Sequence, residues 1–279
     1  MSHETKPIST YRSARAFWDA RADIWLSYAR DPTSYYFQRT GWVVRLICRH
    51  AEVGRVLDMG CGVGLLVGQL SARGFDAYGA DLSPIMVEAA IREARDGLPD
   101  VAQRFRTGDD TDIPFAGPFD VVTAIGLFPY VARFERLVRK IRDILRPGGV
   151  VVASCANRFS LYNGMQLARY LNPWVTVRDR QAILANLFQT GLWSAGLIDK
   201  TERRQCYSAA AFDALLGRNG FEMIDAIDLY NVLPATLDAD PLQRSAGGRF
   251  VARRFGWSHI GIYRDRRVRL GERATKDGP

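Results

Sequence analysis

Between residues 54 and 156, short apolar runs alternate with longer segments whose apolar positions recur every three or four residues. Arg55 to Asp58, Asp76 to Asp81, Val101 to Thr107, Asp120 to Ile125 and Val150 to Cys155 have the length and composition of buried strands. Gly64 to Arg73, Pro84 to Arg95 and Phe134 to Leu145 read as helices, the last ended by Arg146-Pro147-Gly148-Gly149. Strands that are apolar throughout and separated by helices predict a parallel sheet covered on both faces. Right-handed crossovers then make it doubly wound. Downstream, Ala209 to Arg218 reads as a helix stopped by Asn219-Gly220, and Phe221 to Leu229 and Ser258 to Tyr263 return as strands. The stretch from 157 to 206 has no strand pattern. Broken by Asn172-Pro173-Trp174 and Gly191, it reads as a helical insertion after the fifth strand.

The first 50 residues have a different texture. Phe17, Trp18, Trp25, Tyr28, Tyr35, Tyr36, Phe37 and Trp42 crowd into two expected helices, Ser13 to Ala29 and a second running from the Asp31-Pro32-Thr33-Ser34 break toward Arg49. Phe17, Ile24 and Tyr28 are placed near one face of the first. Packing over a core edge explains most of these rings. Their density keeps a lid over an apolar or flat ligand as a second reading.

Composition removes classes without choosing one. A hydrophobic content of 47% and a charged content of 24% fit a globular chain. No apolar run approaches the roughly 20 residues of a membrane span, and the N-terminus lacks the apolar stretch of a secretory signal. A cytoplasmic location is expected. The net charge of +8 is carried by scattered arginines, with modest clusters at Arg133 to Arg146 and Arg264 to Arg273 and no nucleic-acid motif. Nucleic acid is therefore not the expected partner. Cys48, Cys61, Cys155 and Cys206 form no Cys-x-x-Cys, and with three dispersed histidines they give no disulfide framework and no metal site.

The chemistry concentrates at Val56-Leu-Asp-Met-Gly-Cys-Gly-Val-Gly64, a strand entering a glycine turn that opens a helix. Such a turn lets a ligand approach the backbone and offers free N–H groups. An acidic residue at the end of the next strand, here Asp81, suits ribose hydroxyls. The dinucleotide fingerprint Gly-x-Gly-x-x-Gly fails in both frames, because Leu65 and Val67 stand where its third glycine belongs. No Gly-Lys-Ser/Thr is present either. Asp58 ahead of the turn is unfavourable for pyrophosphate and suits a ligand bearing an ammonium or sulfonium.

In these features the chain resembles the class I S-adenosylmethionine-dependent methyltransferases. Asp58 to Gly64 resembles their first motif. Asp81-Leu82-Ser83 with Met86 resembles the ribose and adenine segment, and Gly108 to Phe115 the stretch that meets the adenine amino group. Phe119 to Gly126 resembles the fourth strand, Leu145 to Gly149 the turn before the fifth, and Tyr207-Ser208 with Phe212 to Phe221 the approach to the sixth. The resemblance implies a Rossmann-like, seven-stranded, mostly parallel α/β sheet with its last strand antiparallel. It also implies five segments: a helical N-terminal cap (1–50), a cofactor-binding core (51–156), a helical substrate cap (157–206), the rest of the sheet (207–264) and a frayed tail (265–279).

S-adenosyl-L-methionine is the implied cofactor, held by Asp58, Gly60, Cys61, Gly62, Gly64, Asp81, Leu82, Met86, Asp109, Asp110 and Ile125. Asp109 is favoured for adenine over its neighbours Asp110 and Asp112, and Cys61 is expected to act through its backbone. Many relatives carry a histidine near Pro129, where this chain reads Leu127-Phe-Pro-Tyr130, so no catalytic base is assigned. His50 and His259 read as structural, and Arg158 as a surface arginine or a contact for an acidic substrate. The expected activity is methyl transfer to a small molecule: a secondary metabolite, a sugar or a lipid-linked intermediate. A non-catalytic cofactor-binding scaffold, an RNA methyltransferase and, third, a dehydrogenase stay as alternatives, and a homodimer is left open.

Overall fold

A computed structural model describes residues 14–95, 97–109, 112–131, 133–157, 159–160, 207–229, 246–255 and 258–267, with isolated positions between 168 and 176. The expected helical insertion and the tail lie almost wholly outside the described residues, as do Asp110 and Arg158.

Seven strands form one sheet in the order β3-β2-β1-β4-β5-β7-β6. They are β1 (Arg55–Met59), β2 (Asp76–Asp81), β3 (Phe105–Thr107), β4 (Phe119–Ala124), β5 (Leu145–Ala156), β6 (Phe221–Leu229) and β7 (Ser258–Asp265). β1 to β5 pair in parallel, and β7 runs antiparallel between β5 and β6. The apolar runs are explained by burial on both faces. Val56, Val121, Val150 and Val152 enter one core layer, while their neighbours Leu57, Val122 and Val151 enter the other.

Helix α3 (Tyr35–His50) starts where Ser34 accepts a hydrogen bond from the Phe37 N–H. Its Val43, Val44, Leu46 and Ile47 are buried in the first layer with α4 (Leu65–Ser71) and α5 (Pro84–Ala94). This helix is thus part of the core rather than only a cap. The second layer is closed by α7 (Phe134–Ile144) and α8 (Ala209–Arg218), through Leu137, Ile141, Phe212 and Leu216.

Three elements depart from the sequence pattern. The expected helix from Ser13 to Ala29 is two, α1 (Ala14–Asp19) and α2 (Ala22–Arg30). The break falls where Arg21 donates its N–H to the Trp18 carbonyl and lays its guanidinium over the Phe17 ring, 3.6 Å from the centroid. The break resets the helix face. Ala22 is buried and Trp25 and Leu26 pack beside it, while Tyr28 is exposed. The expected strand from Val101 starts instead as a helical turn, α6 (Val101–Arg104), leaving only Phe105–Thr107 paired. Arg104 reaches back to Asp76 at 2.8 Å and holds that turn against β2. Between β6 and β7 lies α9 (Ala246–Phe255), which Gly247 and Gly248 hid from propensity reasoning.

His259 is fully buried, with Nδ1 2.7 Å from Asp228 Oδ1 and Nε2 3.0 Å from Asp213 Oδ1. Carboxylates only accept, so both ring nitrogens must carry protons. The Tyr263 hydroxyl also donates to Asp213 at 2.6 Å, and Arg253 of α9 pairs with the same carboxylate. Burial opposes charge on the ring, but the bonds to Asp213 and Asp228 outweigh it and raise the imidazole pKa above its ordinary 6.5. With the folded value raised, the stabilisation is fully present below about pH 6.5 and is lost as pH climbs through the folded value. Urea denaturation is expected to show an alkaline fall in midpoint that His259→Ala lacks. That variant should be destabilised by about 3–5 kcal/mol at neutral pH, because it removes a buried, doubly hydrogen-bonded cation from between Asp213 and Asp228.

Candidate functional site

The carboxyl ends of β1, β2 and β4 open into a cavity of about 230 Å³, at the point where strand order reverses between β1 and β4. Its floor is the loop after β1. Gly60 and Cys61 both donate their N–H groups to the Ala80 carbonyl, at 2.8 and 3.1 Å, which folds the loop back onto β2. Gly60 and Gly62 hold φ of 76° and 53°, a left-handed conformation that glycine adopts freely. Leu65 opens α4 directly behind the loop.

Two carboxylates flank the loop. Asp58, buried at the end of β1, accepts a hydrogen bond from the Thr123 hydroxyl at 2.6 Å. Burial raises its pKa to about 7, with Asp81 adding to the rise and the Thr123 bond and Arg39 opposing it. Asp81 accepts the Gly62 N–H on Oδ2 at 2.8 Å and the Ser83 N–H on Oδ1 at 2.9 Å. Its pKa is raised by burial, against the opposing pull of those backbone donors. Ser83 caps α5 and donates its hydroxyl to Asp19 of α1 at 2.5 Å.

The opposite wall comes from the N-terminal helices. Arg39 of α3 lines the cavity, and its buried Nε has no hydrogen-bond partner among the described residues. Its guanidinium lies over Gly126, where an added Cβ would sit 3.4 Å from an Arg39 nitrogen. An arginine and an aspartate thus line one cavity with the glycine loop, a pair of opposite charges suited to the two charges of an amino-acid end. The profile of the methyltransferase domain family matches residues 34–226, well over half of the chain.

The chain belongs to the class I S-adenosylmethionine-dependent methyltransferases.

Similar proteins agree in kind. The ubiquinone biosynthesis O-methyltransferase of Mesorhizobium japonicum is 33% identical over 153 residues, a match covering 54% of this chain and 59% of that relative's length. The enzyme of the same description from Chelativorans sp. is 27% identical over 188 residues, covering 66% of this chain and 72% of that one. Among solved structures, the magnesium protoporphyrin IX methyltransferase from Synechocystis PCC 6803 with bound SAH superposes with a TM-score of 0.60. It covers 90% of this chain and 97% of that chain at 18% identity, a likeness of fold.

Of the residues expected to meet the cofactor, Asp58, Gly60, Cys61 and Gly62 line the cavity from the methyltransferase's first motif. Asp81, Leu82, Met86, Asp109 and Ile125 line it from the following strands and loops. Asp109 is fixed by the Asp112 N–H, which donates to Oδ1 at 2.8 Å. Gly64 departs from expectation. It is absent from the lining and serves packing, since a Cβ there would meet Ala90 at 2.9 Å and Phe105 at 3.0 Å, at a φ of 80°. His50 pairs with Asp225 at 2.7 Å away from the cavity, and His259 is locked in its own network.

Sequence reasoning missed Arg39 and Tyr130, which also face the cavity. Neither lies in a motif. The departure noted at Pro129 pointed to the neighbourhood of Tyr130, whereas nothing in the sequence singled Arg39 out among so many arginines.

Proposed function

We propose that the protein transfers a methyl group from S-adenosylmethionine to a small-molecule acceptor, an oxygen nucleophile being favoured by the O-methyltransferases among its relatives. The observation that carries this reading is a single cavity lined by the glycine loop, Asp58, Asp81 and Arg39, close enough for Arg39 to act on the Asp58 carboxyl. These residues fit the cofactor. Asp58 would take the ammonium, and Arg39, whose buried Nε has no partner among the described residues, the carboxylate. Asp81 would take the ribose hydroxyls, and Leu82, Met86 and Asp109 would enclose the adenine.

When bound, S-adenosylmethionine supplies a methyl group activated by a sulfonium. The chain's contribution is alignment and exclusion of water, which alone are worth effective molarities on the order of 10⁵ M or more. The Gly126 N–H is tied to Ser154 Oγ at 2.8 Å, so the turn after β4 is a fixed wall for that alignment. The small-molecule reading rests on the ring-lined cavity and on the descriptions of the relatives. No helix among the described residues is long and apolar enough to cross a membrane.

Incubating the protein with methyl-labelled S-adenosylmethionine and a cell extract tests the reading. Label is expected in a low-molecular-weight product. Label confined to RNA or protein would overturn the small-molecule assignment, and no transfer in any fraction would favour the scaffold alternative.

A further inference from the structure

Thr123 sits where the sheet asks for an aliphatic residue. On β4 it follows Val121 and Val122, it is fully buried, and its register partners are Asp58 on β1 and Val152 on β5. Register partners of neighbouring strands share a face. Val56 and Val121 enter the first core layer and Leu57 and Val122 the second, so Asp58 and Thr123 emerge side by side on the face of the first. Valine has nearly the shape of threonine and would fill this position without a polar group. A buried hydroxyl costs stability unless it is hydrogen-bonded, and this one donates to Asp58 Oδ1 at 2.6 Å.

That bond leaves the Asp58 carboxyl half satisfied. Its side chain is buried, yet no hydrogen bond besides that of Thr123 reaches it among the described residues. Asp58 lines the cavity and Thr123 does not. The hydroxyl thus holds one oxygen from behind, and the second oxygen is left for a donor in the cavity. The charged neighbours do not replace the hydroxyl. Burial is the largest influence on Asp58 and opposes its charge. The Thr123 bond comes next and favours it, followed by Asp81 of β2 against and Arg39 of α3 in favour. Tyr36 of α3 and Cys61 of the loop, the other titratable groups beside it, are kept neutral by burial.

We propose that Thr123 is a positioning residue for the cofactor, its hydroxyl fixing one oxygen of Asp58 and leaving the other for the ammonium of S-adenosylmethionine. The proposal rests on the reading of Asp58 given above and adds the residue that makes Asp58 competent. By donating to the carboxylate, Thr123 favours the charged form that an ammonium requires. Without the hydroxyl that form appears only at higher pH. The loss is therefore felt at neutral pH and fades on the alkaline side.

The test is calorimetry of the full chain between pH 6 and 8.5 against S-adenosylhomocysteine, which keeps the amino-acid end. Thr123→Val preserves the β-branched shape and removes the hydroxyl. A hydrogen bond to a charged group is worth about one pKa unit or more, so the pH midpoint of binding should rise from about 7 to about 8. Relative to wild type, affinity should then drop about fivefold at pH 7 and less than twofold at pH 8.5. Thr123→Ala should shift in the same way, and Thr123→Ser, which retains the hydroxyl, should keep the wild-type midpoint. An unshifted midpoint in the Val and Ala variants, or a deficit of the same size at every pH, would overturn the proposal. A flat wild-type profile would instead bring down the ammonium reading of Asp58, and the role of Thr123 with it. Wild-type protein that ignores S-adenosylhomocysteine would bring down the methyltransferase reading and both of these.

Discussion

Replacing Asp81 by alanine is expected to weaken S-adenosylhomocysteine binding by about 1.5–3 kcal/mol, roughly 10- to 150-fold. Two effects combine in that loss. A carboxylate accepting two ribose hydroxyls makes charge-assisted bonds, and the same carboxylate holds the Gly62 and Ser83 N–H groups that shape the loop and start α5. Asp81→Asn separates them. It keeps an oxygen for one backbone donor but has no charge, so it should bind with intermediate affinity. Calorimetry gives the affinities, and thermal denaturation shows whether the fold survives. A folded Asp81→Ala protein with unchanged affinity would remove Asp81 from the site.

The second large effect is a pH dependence of binding centred on Asp58. Burial brings its pKa to about 7, so the carboxylate form prevails above that pH and the neutral acid below it. An ammonium group needs the carboxylate. Affinity is therefore full on the alkaline side and falls as pH drops through 7, by about tenfold between pH 8 and pH 6, one pKa unit being 1.36 kcal/mol. Asp58→Asn should bind weakly throughout and lose this slope. A wild-type titration that stays flat over the same interval, or an Asn variant that keeps the slope, would place the ammonium elsewhere.

The sheet was readable in the sequence because a parallel sheet buried on both faces writes itself as unbroken apolar runs, as at Val150 to Cys155. The cofactor loop was readable because its glycines and two aspartates lie within one strand-turn-helix unit and the next strand. Arg39 and Tyr130 were not, since they reach the cavity from a core helix and from the turn after β4, and no local pattern records that meeting. The break between α1 and α2 escaped for a similar reason. Residues on both sides of it are ordinary helix formers, and only the packing of Trp18 toward Tyr130 and Trp25 toward Tyr36 requires the face to rotate. His259 looked structural in isolation and is so, although its two carboxylate partners on α8 and β6 could be named only from the fold.

Isothermal calorimetry of the full chain against S-adenosylhomocysteine and NAD tests the central claim most directly. The glycine loop between Asp58 and Asp81 predicts saturable binding of S-adenosylhomocysteine with micromolar affinity, about −8 kcal/mol, and no heat from NAD. NAD bound and S-adenosylhomocysteine ignored would contradict it.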